Sequence, residues 1–147
     1  MPTLPRVLYS FLVRTDFTSG GAWRQLSDEA QRENPDGFRA NVEPVSDPEF
    51  DGVTWEAVKA AVPANSVAVI FIADSTALTS PDNPILVVGL LGSEPPFRCI
   101  PSELWNVDNN LNIANMSWED FASALDENGV FRGFGLSLLV RSNVQAR

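Results

Sequence analysis

The sequence predicts an α/β protein: a single domain built on a mixed, mostly parallel sheet of about five strands with three helices packed on it. An α+β arrangement is the variant of that reading. Three observations carry it. VLYSFLV (Val7–Val13) and VAVIFIA (Val67–Ala73) are short, uncharged and β-favouring, as strands buried on both faces must be. Between them lie segments whose apolar residues recur at helical spacing. The order β-α-β-α-β, then β-β-α, makes the first three strands parallel through right-handed crossovers. The ends of strands one and three then share one edge of the sheet.

The elements follow in order. After RTDF, Thr18 or Ser19 caps a helix that presents Ala22, Trp23, Leu26 and Ala30 on one face. NPDG (Asn34–Gly37) stops it, and 38–45 alternates as a second strand. An acidic turn, SDPEFDG, leads to a short helix turning Trp55, Val58 and Val62 inward. The strand 67–73 is followed by a polar loop (74–84), a fourth strand (85–91) and, after GSEPP, a hairpin partner at 97–100. An asparagine-rich loop, 104–115, enters the last helix, where Ser117 is the N-cap and Asp120 completes a capping box. Trp118, Phe121, Ala122 and Leu125 form that helix's inner stripe, and Gly129 suits a left-handed position beyond it. Residues 1–134 make the domain, and 135–147 read as a final strand, Leu136–Val140, or a loose tail.

At 147 residues the chain is long enough to bury roughly 68–70% of its unfolded surface without disulfide or metal staples. Nineteen carboxylates against nine arginines and Lys59 give a net charge of −9. Phosphate backbones and anionic membranes are repelled by such a field, so neither nucleic acid nor a membrane is an expected partner. The chain has no histidine and one cysteine. Histidine-based catalytic triads and His/Cys metal sites are thereby excluded. No cofactor is implied. The lone Cys99 and the absence of a secretion signal at the start point to the cytoplasm.

Three groups of residues can carry function. Arg14 and Asp16 follow the first strand and Asp74 the third, at the edge where open α/β sheets gather ligands. Asp16 and Asp74 can hold Mg²⁺ or act as general base, with Arg14 gripping an anion; alternatively, the aspartates close turns and caps. Trp105, Asn106, Asn109, Asn110, Asn112 and Asn115 set an aromatic beside neutral hydrogen-bonding groups, as interfaces and polar pockets do. They can equally satisfy an irregular loop. Arg132, among glycines and phenylalanines, can clamp a carboxylate or pair with a surface acid. Cys99, in an apolar strand, reads as a small buried hydrophobe.

LVRTDF, DPEFDG, FIADSTALTSPDNPILVV, PSELWNVDNNLNIANMSWEDF and GVFRGF together resemble a family of small uncharacterised bacterial domains, chiefly actinobacterial. The likeness spans about residues 7–134. It implies a compact cytosolic α/β domain and supplies no catalytic residues.

These readings favour a non-catalytic acidic binding protein, inhibitor- or immunity-like, that recognises a protein partner or a small polar ligand through the 104–115 segment. The alternative is a small enzyme using Asp16 and Asp74. The sequence sets no oligomeric state.

Overall fold

The computed structural model describes residues 3–4, 9–63 and 67–134, so the proposed strand at 136–140 lies outside the described residues. Six strands among these residues form one sheet: β1 (Ser10–Arg14), β2 (Val42–Val45), β3 (Val69–Ala73), β4 (Ile85–Gly89), β5 (Phe97–Cys99) and β6 (Val130–Phe131). Their spatial order is β2-β1-β3-β4-β5-β6. β1 runs parallel to both β2 and β3, and β5 parallel to β6; the β3–β4 and β4–β5 pairs are antiparallel. The sheet is therefore mixed and more parallel than not. Pro44 sits in the edge strand β2, where its missing N–H removes no central ladder bond.

Among the described residues five α-helices accompany the sheet: α1 (Gly20–Ala30), α2 (Trp55–Ala60), α3 (Ser75–Thr79), α4 (Leu104–Asn112) and α5 (Trp118–Ala122). Alternation along the strands splits the core in two. Leu12, Phe71, Val87 and Cys99 face one side and pack with Trp23 and Leu26 of α1, Leu104 and Val107 of α4, and Phe121 of α5. Phe11, Val13, Ile70 and Val88 face the other and meet Phe50 and Val58. The chain thus winds its helices onto both faces, as the reversal from β2 back across β1 to β3 demands.

Several caps match their sequence signatures. Ser19 Oγ accepts from the Ala22 N–H, Thr54 Oγ1 from Ala57, and Ser117 with Asp120 forms a complete capping box. Gly129 has φ +78°, in the turn into β6 rather than directly behind α5.

Two expectations are corrected. The segment after β3 is not all loop, because Asp74 accepts from the Ala77 N–H and starts α3. The asparagine-rich segment is mostly helix, not loop. Leu104, Val107 and Leu111 fall on one face and pack against the core. Asparagine is a poor helix former in isolation because its amide competes with the backbone, but here the amides bond one turn away instead. Asn110 Nδ2 donates to Asn106 Oδ1 at 2.7 Å, and Asn112 Nδ2 to Asp108 Oδ1 at 2.9 Å. The helix ends at Ile113, past which Ala114 takes φ +57° and the N–H groups of Asn115 and Met116 both reach the Asn110 carbonyl.

The direction of α4 positions everything that follows. β5 is parallel to β3 through two antiparallel steps, so its end lies on the rim where β1 and β3 end. α4 leaves from there and crosses the sheet face. At its far end Asn112 donates to Ser10 Oγ, at the start of β1, and accepts from the Ala68 N–H, just before β3.

Candidate functional site

The two rims of the sheet hold the two sets of candidate residues. On the rim beyond β1 and β3, Arg14 pairs with Ala73 in register, and the Thr15 N–H donates to the Ala73 carbonyl. Asp16 and Asp74 therefore emerge side by side, as parallel strands require. Both carboxylates, however, are engaged by groups of the fold, Asp16 through one oxygen and Asp74 through both. Asp16 Oδ1 accepts from the Thr18 backbone at 2.9 Å and from its hydroxyl at 2.6 Å. These bonds, with a smaller contribution from Ser75 and Arg14, hold its carboxyl below the usual range against a modest opposing effect of burial. Asp74 caps α3 and receives both Nη atoms of Arg98, at 2.9 and 2.8 Å. This bidentate pair fixes both carboxylate oxygens.

Arg14 is buried. Its Nε donates to the Asp16 carbonyl, its Nη1 contacts Ser46 Oγ at 3.3 Å, and its guanidinium lies 4.1 Å from the centre of the Phe17 ring. Cation–π contact of this kind holds an arginine in place without a carboxylate. Among the described residues no group of three or more His, Cys, Asp or Glu side chains is disposed to bind a metal ion.

The opposite rim is different. Asp108 is 3% exposed, and its carboxylate accepts from the Asn41 N–H and from Asn112 Nδ2, both at 2.9 Å, with Ser10 assisting. All these donors are neutral, and no ion pair reaches Asp108 among the described residues. Burial dominates the hydrogen bonds, so the carboxyl is pushed up to about 6. Above it opens a recess of about 200 Å³, walled by Tyr9, Asn41, Asp108, Asn109, Asn112 and Ile113. Trp105, Asn109 and Ile113 follow one another at i, i+4 and i+8 along the outer face of α4. Phe38 lies flat on Trp105, with ring centres 4.9 Å apart and planes 12° apart. Phe38, Tyr9 and Ile113 are all exposed, Ile113 to 71%.

The asparagines divide accordingly. Asn106, Asn110, Asn112 and Asn115 spend their amides within the protein, in the ladder Glu103–Asn106–Asn110–Asn115 and in the clamp of Asn112 on β1 and β3. The Asn109 side chain has no protein partner among the described residues, and it lines the recess. Trp105 packs partly into the core, with its Nε1 buried and without a hydrogen-bond partner.

Arg132 follows β6 on the rim of Asp16 and Asp74, but its ion pairs go to neither of them. Its Nε and Nη2 pair with Asp126 and Asp82, each at 2.8 Å. The Cys99 thiol is buried, and burial, with Glu103 nearby, raises its pKa well above normal. The amide-rich segment also ends on the rim opposite Asp16 and Asp74, so the two clusters do not form one surface.

Sequence reasoning missed Asp108, Tyr9, Asn41, Phe38 and Ile113. Asp108 had a signal: it is the one carboxylate inside the amide run and stands four residues before Asn112, the spacing of a helical pair.

The fold is that of a small α/β domain with helices on both faces of a mixed sheet, and the recess over Asp108 opens beside α4 at the rim where β1 and β3 begin. The chain belongs to the family described as a domain of unknown function, DUF6924, whose model matches residues 9–134. No curated protein matches it. No helix among the described residues is long and apolar enough to cross a membrane.

Proposed function

We propose that this chain is a non-catalytic binding protein of the cytoplasm that recognises a basic protein partner through the outer face of α4. The observation that carries the reading is the recess ringed by exposed Tyr9 and Ile113, beside the half-exposed Phe38 on Trp105. Aromatic and aliphatic side chains around a few convergent polar groups are the usual chemistry of an interface centre. The net charge of −9 steers a basic partner toward it. The carboxylate-enzyme alternative is less well supported, because the α3 cap and Arg98 hold both oxygens of Asp74, while Asp16 has one oxygen tied into its turn with Thr18.

Trp105 carries part of the core, so Trp105→Ala tests packing as well as binding. Phe38→Ala and Ile113→Ala are cleaner. After capture and purification of a partner from the native lysate, each is expected to weaken its binding at least about tenfold, roughly 1.4 kcal/mol, without shifting the melting curve. Affinity unchanged in both variants would remove the α4 face from consideration.

A further inference from the structure

We infer that the recess over Asp108 seats an organic cation, a protonated amine or guanidinium on a short aliphatic stem, whose charge pairs with the Asp108 carboxylate. The inference rests on the reading of α4's outer face as the binding surface and names the group that surface takes.

Four features of the site converge on this chemistry. Asp108 is 3% exposed and is one of the residues that line the recess, so a ligand seated there lies against it. Its present partners are an N–H and an amide, with Ser10 assisting, and all are neutral. A buried carboxylate is ordinarily matched by a counter-charge, and this one has none among the described residues. The remaining wall suits the rest of such a ligand: the unpartnered Asn109 amide offers an acceptor to a second N–H, while the Tyr9 ring and Ile113 flank an aliphatic stem. A divalent metal is a poor occupant, because hard cations want six or more oxygens and more than one carboxylate. An anion would meet both the buried carboxylate and the acidic field of the whole chain.

At neutral pH the carboxyl, raised to about 6 by burial, is ionised and ready to pair. The elements packed around it are α4 and the lead-ins to β1, β2 and β3, which contribute Tyr9, Ser10, Asn41, Ala68, Asn109 and Asn112. Of these Tyr9 alone is titratable, so the pH response near 6 belongs to Asp108.

The test follows the side-chain amide NMR signals of Asn109 and Asn112 while the full chain is titrated with butylammonium, with N-acetyl-lysine N-methylamide, or with N-acetyl-glutamine N-methylamide as the neutral control. The first probe represents a free amine and the second a lysine borne on a protein, so their relative affinities tell which source fits the recess. Saturable shifts with either amine at about pH 7.5, weakened about tenfold near pH 5, are expected, since each unit below the carboxyl's pKa removes a factor of ten in the ionised form. Asp108→Asn, checked for folding by its melting curve, should abolish the response; Asn109→Ala, at a site free of internal bonds, should weaken it. No saturable shift with either amine, an equal response to the glutamine derivative, or binding that ignores pH in the unmutated chain would overturn the inference. A protein partner held equally well by wild type and by folded Asp108→Asn, yet lost on Ile113→Ala, would overturn it while leaving the binding reading intact.

Discussion

Both rims of the sheet carry aspartates at chain positions that could serve chemistry, and the molecule treats them in opposite ways. Beyond β1 and β3, Asp16 lies in a turn of its own making and Asp74 is gripped by Arg98; each carboxylate is neutralised or hydrogen-bonded by groups that hold the fold. At the start of the same strands, Asp108 lies beneath the recess among neutral donors, with no cation paired to it among the described residues, and its proton affinity rises. The side chain is the same. Solvent access and the charge of the donors decide whether it becomes a cap or a poised group.

The largest expected effect breaks the second rim outright. Asn112 joins three elements, donating to Ser10 and Asp108 and accepting from Ala68. Asn112→Ala leaves the Ala68 N–H unpaired and Asp108 short of a donor, at a loss of about 3–4 kcal/mol in denaturant unfolding. A loss under about 1 kcal/mol would mean that the amide clamp does little for the fold.

A pH series sharpens the contrast. Folding raises the Asp108 carboxyl from its ordinary 3.8 to about 6, so between those values the folded chain keeps a proton that the unfolded chain releases. Its contribution to stability is therefore greatest below 3.8 and declines as pH rises through the window, by on the order of 3 kcal/mol. Asp16, whose carboxyl is lowered, works in the opposite sense: its contribution is present above the ordinary value and is lost on acidification. Unfolding free energies of wild type minus Asp108→Asn should accordingly fall from about pH 4 to about pH 7, and a flat difference would contradict the burial of an ionisable group there.

Smaller effects belong to the first rim. Asp74→Ala removes the α3 cap and the Arg98 pair, which is largely shielded from solvent, and should cost about 2 kcal/mol. Asp16→Ala, losing one exposed turn, should cost under about 1 kcal/mol. Equal costs in thermal or chemical melts would erase the distinction drawn between them.

What the sequence disclosed follows the same physical line. Strands buried on both faces announce themselves through short, uncharged, β-favouring runs, which is why β1, β3 and β4 were legible, along with the cap at Ser117 and, as one of two candidates, the cap at Ser19. Parallel β1 and β3 placed Asp16 and Asp74 on one rim, as the crossover rule requires. The helix α4 was not legible, because asparagine's intrinsic preference is local and the i, i+4 amide ladder that overrides it is visible only once the chain is coiled. The same oversight hid Asp108, a carboxylate among amides that is unremarkable in a loop and buried in a helix. Tyr9 and Asn41 come to the recess, and Phe38 to Trp105, from the lead-ins to β1 and β2, and no spacing in the chain connects them with residue 108.

A carbon-13 titration of the Asp108 carboxyl resonance tests the central claim most directly. The account predicts a midpoint near 6, moving downward when an alkylammonium salt is added, as a bound cation favours the ionised form. A midpoint at the ordinary carboxylate value, unmoved by the amine, would contradict it.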